Sequence, residues 1–337
     1  MCVKIIPYVK NFAIGGGLVE NNPKDRKIGL IIEVIGNVIM GSLVLYWRMV
    51  RDVPQNELLA MRIIMCCLTA GIVAVILGKW KEAVAYFKNI KTYLFMLLGG
   101  VCIVSSWGAY IWAVQNNYLI ENGIGFFIVP IGTACCGMIF FKEKADKYII
   151  SALVVAAIGI LAMTILYGRF PVLAVFVAIV NPIFFSVRRK VSPNPFVGQF
   201  VELSGLVPFM IAFLIWQSVS SGQLGFLQQP QGIVVLVLLI GVINTVPMIF
   251  IFTGQRKIDM ISFALIGYLT PIVQGSITVL VIGEKLMPGH ICALVCAAIA
   301  LLIYSIGLVK KSKAAEQALT AGEKQAVPVS DLPDSGE

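Results

Sequence analysis

Two stretches of the sequence share one pattern: residues 127–144, FIVPIGTACCGMIFFKEK, and residues 268–285, YLTPIVQGSITVLVIGEK. In each stretch a proline precedes a Glu-Lys pair by 13 residues, so Pro130 corresponds to Pro271 at an offset of 141 residues. This offset is close to half of the folded length. The pattern therefore predicts an internal duplication of the chain.

The residues around these stretches are those of a membrane protein. Of the 337 residues, 59% are hydrophobic and 13% are charged, whereas a soluble domain has about 25% charged residues. The apolar residues fall in runs of about 20, the length of helix that crosses a hydrocarbon core. Such helices satisfy their own backbone polar groups. We predict an all-α integral membrane protein with ten transmembrane helices at 29–50, 57–78, 93–114, 120–141, 148–168, 171–189, 196–217, 232–254, 261–283 and 289–309.

The duplication and the number of spans together set the predicted topology. Five spans in each repeat is an odd number, so the two repeats must cross the membrane in opposite directions. We expect an N-terminal cytoplasmic extension at 1–28, one five-helix repeat at 29–168 and an inverted one at 171–309. Residues 312–337 are polar, and we expect them to form a disordered cytoplasmic tail.

The distribution of charge predicts which side each loop faces. Most of the 26 Lys and Arg residues lie in the termini and in alternate short loops, and such loops are cytoplasmic. Only Arg48, Arg51, Arg169 and Lys285 fall on the opposite side. Both termini are therefore predicted to be cytoplasmic. A net charge of +9 spread over short loops does not indicate nucleic-acid binding.

Several chemical functions find no support in the sequence. Seven of the eight cysteines lie within apolar runs, where they pack as small hydrophobic residues, so we expect no metal site. His290, the only histidine, has no companion motif. No nucleotide-binding loop of the Gly-x-x-x-x-Gly-Lys type occurs. We expect neither an enzyme nor a resident cofactor.

The two matched prolines point to a site in the middle of the membrane. By helix rise each lies about 15 Å into its span, and prolines there free backbone carbonyls in broken helices, where inverted-repeat transporters bind solutes. The alternative is a kink that serves packing alone. Amides and aromatic residues at similar depth complete the predicted substrate cavity, which consists of Trp107, Tyr110, Pro130, Asn181, Asn244, Tyr268, Pro271 and Gln274.

Three ionisable residues fall well inside predicted spans, away from the span ends, and are the candidates for a functional charge: Arg62, Glu202 and Glu33. Buried charges are costly and usually face a cavity or a partner. We expect Arg62 to recognise an anionic group near the outer mouth and Glu202 to assist a solute or proton near the inner mouth. Snorkelling to the nearest interface is the alternative for both. Their separation along the membrane normal, about 14 Å, argues against direct pairing.

The sequence also resembles a known family. The residues that carry the resemblance are 106–117, SWGAYIWAVQNN, followed by 124–130, IGFFIVP, and 137–144, GMIFFKEK, with Tyr268 to Pro271 in the second half. They resemble the RarD branch of the EamA-type permeases in the drug/metabolite transporter superfamily. The resemblance implies a ten-helix inverted-repeat carrier in the bacterial inner membrane, without naming its solute.

These observations favour a secondary transporter, exporting a small metabolite or drug-like solute by alternating access. A polar-lined channel is the main alternative, and a membrane receptor or enzyme is a weaker one. The expected partners are membrane lipid, a small-molecule solute and a coupling proton. A homodimer is compatible with the sequence, and nucleic acid is not an expected partner.

Overall fold

The computed structural model describes residues 23–115, 118–168, 170–283 and 288–325, and most of these residues are helical. Residues of the predicted motifs that lie outside this part are Asn116, Asn117, Arg169, Glu284 and Lys285. The helices are α1 Pro23–Ser42, α2 Val44–Met49, α3 Gln55–Ile76, α4 Trp80–Lys88, α5 Ile90–Gln115, α6 Leu119–Phe140, α7 Lys147–Tyr167, α8 Val172–Val191, α9 Pro195–Ser204, α10 Val207–Ser221, α11 Gln231–Leu238, α12 Ile240–Lys257, α13 Met260–Ile266, α14 Leu269–Leu280 and α15 Pro288–Gln325.

These helices form the predicted set of spans. Within the described residues, nine helices or joined helix pairs are long and apolar enough to cross a membrane, and the bent pair α9–α10 makes a tenth. The first span is α1 with α2, the seventh α9 with α10, the eighth α11 with α12 and the ninth α13 with α14. The bend between α9 and α10 is 54°. The bend follows Gly205 and precedes Pro208. Proline has no backbone N–H, so it cannot donate a hydrogen bond to the preceding turn of a helix.

Each half of the chain packs into the other. The first span contacts the eighth and ninth spans, and the sixth contacts the third and fourth. The second span packs against the seventh, the fourth against the ninth and the fifth against the tenth. If each of the first five spans is exchanged for the span five places later, the same pairs of neighbours result. The packing is therefore that of two related repeats, as the sequence predicts.

Individual contacts follow the same exchange at the offset of 141 residues. A Cβ added to Gly41 would lie 2.8 Å from Cβ of Val273, and one added to Gly132 would lie 2.9 Å from Cγ of Pro182. Residues 41 and 182 are equivalent, and so are 132 and 273. The Tyr268 hydroxyl donates to the carbonyl oxygen of Phe127, its own equivalent, at 3.2 Å. Such a contact places the axis that relates the repeats close to this pair.

Polar contacts show which helix ends lie together. Lys257 Nζ is 3.0 Å from an Asp25 carboxylate oxygen, joining the end of α12 to the start of α1. Lys310 donates to the Tyr148 hydroxyl at 2.9 Å, joining α15 to the start of α7. We call this end of the bundle, defined by Asp25, Tyr148, Lys257 and Lys310, the basic end.

Two segments differ from the sequence-based prediction. The loop between the second and third spans contains the short helix α4, whose residues Ala83 and Tyr86 are buried. Helix α15 continues to Gln325, whereas the sequence predicted a disordered tail from residue 312. Its final turns are rich in Ala, Lys, Glu and Gln, which have high helix propensity. Residues 1–22 of the N-terminal extension and 326–337 of the tail lie outside the described part of the chain.

Close helix crossings at two equivalent glycines supply a test of the fold. A Cβ at Gly100 would overlap the backbone oxygen of Glu202, and one at Gly241 would overlap that of Met65. We expect Gly100→Ala and Gly241→Ala each to lower the free energy of unfolding by about 1–3 kcal/mol, as overpacking does. Gly232→Ala is the control, because nothing lies within 4 Å of its added Cβ. Thermal unfolding in detergent measures all three, and equal midpoints would contradict the packing described.

Candidate substrate cavity

The two ends of the bundle are packed differently. At the basic end, every residue of α13 is buried, as are most residues of α9. In α10 and α14, which continue the same two spans and are described in full, no residue is buried. The bundle is therefore more closely packed at the basic end than at the opposite end.

Arg62 lies between two tryptophan rings, in the half of the bundle that is less closely packed. Its guanidinium carbon is 3.8 Å from the ring centroid of Trp107 on α5 and 4.9 Å from that of Trp47 on α2. Cation–π contacts of this kind hold a guanidinium in place without neutralising it. The Arg62 Nε has no hydrogen-bond partner among the described residues. The predicted residues Arg62 and Trp107 thus come together, with Trp47 as a partner that the sequence did not indicate.

Tyr110 lies one helical turn beyond Trp107 on α5. It keeps 39% of its surface accessible. Arg62, Trp107, Tyr110 and Trp47 thus form a cationic and aromatic wall, which we call the Arg62 cluster.

Ion pairs hold the basic end closed. Arg26 bonds to Asp259 at 3.1 Å and Lys257 to Asp25 at 3.0 Å, so the start of α1 is tied to the link between α12 and α13. Asp259 also caps α13 by accepting the amide of Ser262 at 2.8 Å. We call the pairs Arg26–Asp259 and Lys257–Asp25 the basic-end latch.

Glu143, one of the repeated Glu-Lys residues, adds a further tie at the same end. Its carboxylate accepts the backbone amides of Met260 and Ile261 at 2.6 and 2.8 Å, and Arg189 lies 4.0 Å away. Burial raises the pKa of this carboxyl, although the two amides and Arg189 oppose the shift. The motif thus joins the end of the fourth span to the start of the ninth.

The two matched prolines differ from the prediction that both break a helix. Pro271 lies in the first turn of α14, just after a break at Gly267 and Tyr268. Pro130, by contrast, lies inside α6, which is one continuous helix. The carbonyl oxygen of the neighbouring Phe127 accepts the Tyr268 hydroxyl, so α6 contacts the ninth span at the level of this proline. The two repeats therefore differ in structure at this level.

The predicted amides fall into different environments. Asn181 is buried and donates to Ser106 Oγ at 2.8 Å, which ties α8 to α5. Asn244 is buried on α12, and its Oδ1 has no hydrogen-bond partner in the described chain. Gln274 is exposed on α14. Asn181 is thus occupied in packing, whereas Asn244 and Gln274 retain free hydrogen-bonding capacity.

Glu202 differs from its expected role near the inner mouth. It forms a buried ion pair with Arg188, a residue that the sequence analysis placed among loop charges. Arg188 also donates to the carbonyl oxygen of Pro195 at 2.7 Å and stacks on Phe252, with 3.5 Å from its guanidinium carbon to the ring centroid. The pair ties α8 to α9. Because Arg188 already neutralises Glu202, a structural role is favoured for Glu202.

Three other buried carboxylates are notable. Glu57 accepts the amides of Gly225 and Phe226, both at 2.9 Å, and Glu121 accepts the Tyr167 hydroxyl at 2.8 Å and the amide of Leu173. The sequence did not predict that these two carboxylates accept backbone amides, although both acids are visible at the starts of apolar helices. The third, Glu33, is 1% exposed on α1.

Comparison with known proteins agrees with this architecture. The chain matches the EamA-like transporter family over residues 27–165 and again over residues 169–306. The uncharacterized transporter YojE of Bacillus subtilis (strain 168) is 25% identical over 300 residues, which cover 87% of this chain and 98% of that one. Protein RarD of Escherichia coli (strain K12) is 24% identical over 263 residues, covering 78% and 88%.

A solved structure titled "Crystal structure of protein" shares the fold. Its TM-score is 0.62 at 13% sequence identity, over 82% of this chain and 97% of that chain. Apolar spans, duplicated packing and relatives named as transporters define this chain as a multi-pass membrane transporter. Because both halves match, the chain belongs to the EamA-like transporter family, and its relatives place it with the RarD-like permeases.

The Arg188–Glu202 pair provides a test of its structural role. Glu202→Gln should lower the free energy of unfolding by about 3–5 kcal/mol, because it leaves Arg188 buried without a counter-charge. The double variant Arg188→Met with Glu202→Met should recover most of that loss, since an apolar pair removes both charges together. Thermal unfolding in detergent provides the comparison. A double variant as unstable as Glu202→Gln would show that the pair does more than balance charge.

Proposed function

We propose that this chain is a secondary transporter of the bacterial inner membrane that exports a small metabolite or drug-like solute by alternating access. The main support for this proposal is the Arg62 cluster. It lies in the less closely packed half of the bundle, and the basic-end latch joins the helices at the other end. The basic end faces the cytoplasm in this proposal, which is supported by the concentration of Lys and Arg in the loops at that end. Export is proposed by analogy with the family.

The Arg62 cluster favours a particular class of solute. Arg62 is charged, its stacking partners do not neutralise it, and its buried Nε has no hydrogen-bond partner among the described residues. A guanidinium with a free edge binds carboxylate or phosphate oxygens well. Trp107 and Tyr110 add apolar and aromatic surface beside it. We therefore propose an anionic solute with a flat or apolar body, whose further polar contacts come from Asn244 and Gln274.

The basic-end latch supplies the second state that alternating access needs. Its pairs are partly solvated, with side-chain exposures from 32% to 38%, and ion pairs at such positions contribute only about 0–1 kcal/mol each. Contacts this weak can open at low cost when a solute binds the other state better. The broken ninth span and the bent seventh span provide the points at which helices can move.

Transport by the purified protein tests the proposal. Monocarboxylates, dicarboxylates and aromatic carboxylates are screened by the rise in melting temperature, and the best stabiliser is assayed in sealed proteoliposomes. A carrier gives uptake that saturates with solute and shows counterflow. A channel gives a non-saturating flux without counterflow, and that result would overturn the proposal.

In the same assay, Arg62→Gln should weaken solute binding by about 10- to 100-fold, because hydrogen bonds to charged groups contribute about 1.5–3 kcal/mol. Arg62→Lys keeps the charge but loses the planar fork, so its loss should be intermediate. Size-exclusion profiles check that each variant is folded. Unchanged affinity in both folded variants would contradict the assignment of Arg62 to the solute.

The latch makes a separate prediction about opening at the basic end. Arg26→Gln removes the Arg26–Asp259 pair and should speed hydrogen–deuterium exchange of the backbone amides of α13, which α1 helps to cover. Arg51→Gln is the matched control, since the Arg51–Asp52 pair lies in a loop with both side chains largely exposed. Equal exchange in α13 for both variants would show that the latch does not hold the basic end.

A further inference from the structure

Glu33 on α1 is a buried carboxyl group with incomplete hydrogen bonding. Asn37 Nδ2 donates to Glu33 Oε1 at 2.9 Å, one helical turn along α1. The second oxygen, Oε2, has no hydrogen-bond partner in the described residues. It faces Gly254 on α12, where an added Cβ would lie 2.5 Å from it. The group is therefore enclosed by closely packed helices.

No cation neutralises this carboxyl within the described part of the chain. On the elements packed against α1, Arg26 and Lys257 pair with Asp259 and Asp25, and Arg256 is exposed. Helices α13 and α14 contain no charged residue. The remaining charged residues on α1 and α2 are Lys24, Lys27 and Arg48, all exposed. An ionised carboxylate without a partner costs several kcal/mol when buried, so the protonated form is the stable one here.

A chain of hydrogen bonds links this carboxyl to the broken ninth span. Asn37 Oδ1 accepts the hydroxyl of Thr270 at 2.8 Å, while its nitrogen donates to Glu33. Thr270 lies in the first turn of α14, directly after the break that follows α13. A change in the charge of Glu33 would therefore reach the break through Asn37.

The other repeat shows that packing alone does not require these polar residues. At the offset of 141 residues, Glu33, Asn37 and Thr270 correspond to Ala174, Ala178 and Val129. Ala174 is fully buried and Val129 is 9% exposed, in the equivalent crossing of the sixth span with the fourth. Apolar residues thus fill the related site, and the acidic version in the first repeat serves another purpose.

We propose that Glu33 is a proton-binding site of this carrier, and that Asn37 and Thr270 transmit its protonation state to the break between α13 and α14. This inference rests on the carrier function proposed above. The ligand is a proton rather than a metal cation, because Asn37 turns its amide nitrogen, a donor, toward the carboxyl.

Exchange of this proton requires movement of α1. Glu33 is 1% exposed, and Gly254 brings α12 into direct contact with it. The basic-end latch joins these same two helices through Lys257 and Asp25. In the latched state the proton is retained, and separation of α1 from α12 exposes the carboxyl to the basic end. Proton release and opening of that end are then a single event.

Infrared spectroscopy of the full-length protein in lipid, at neutral pH and without solute, tests the site directly. The wild-type spectrum should contain the carbonyl band of a protonated carboxyl group that Glu33→Gln removes. Thr270→Val should keep the band but move it to higher frequency, because Asn37 loses its donor and binds the carboxyl less strongly. If Glu33→Gln does not fold, Glu33→Asp takes its place and must shift the same band.

The outcomes separate the two halves of the proposal. A spectrum unchanged by the Glu33 substitution would overturn the proton site. A band unaffected by Thr270→Val would overturn the link to α14. Because neither measurement involves transport, a Glu33 band in a protein that shows no counterflow would leave the proton site standing and remove the carrier function instead.

Discussion

The whole structure depends on satisfying backbone polar groups where helices end or break inside a membrane protein. Lipid offers no hydrogen bonds, so a broken span is stable only where the protein itself supplies partners. Here carboxylates supply partners at helix starts and loops: Glu143 accepts two amides at the start of α13, Glu57 accepts two at Gly225 and Phe226, and Glu121 accepts one at the start of α8. These acids hold the loops and helix starts that join the spans, whereas the breaks at Gly205 and Gly267 lie within spans.

The two repeats share a framework but not a function. Equivalent glycines at 100 and 241 form equivalent helix crossings, and the contacts of Gly41 and Gly132 exchange at the same offset. Against this framework the differences stand out. Only one of the two matched prolines follows a break, and the carboxyl of Glu33 has Ala174 as its counterpart. The repeats thus share their close helix crossings and differ in the polar residues placed between them.

Sequence predicted the architecture because its signals are local. Span length and the 141-residue repeat follow from runs of apolar residues and matched motifs, and the structure confirms ten candidate spans and duplicated packing. The site was less predictable because its contacts join distant spans. Arg188 reads as one of three consecutive basic residues at a helix end, and only the crossing of α8 with α9 shows that it neutralises Glu202. Trp47 likewise became visible only through Arg62.

The central claim is that the halves cross the membrane in opposite directions. The short connection between α7 and α8 tests this claim, because it joins the two halves. Phe170 in this connection is 75% exposed and therefore accessible to a labelling reagent. Phe170→Cys, in a background without reactive cysteines, is treated with a membrane-impermeant maleimide in intact cells and in inverted vesicles, beside tags at both termini. The account predicts that residue 170 is labelled from outside and both tags from the cytoplasm. Labelling of residue 170 from the same side as the termini would mean an even number of spans per half and would contradict the account.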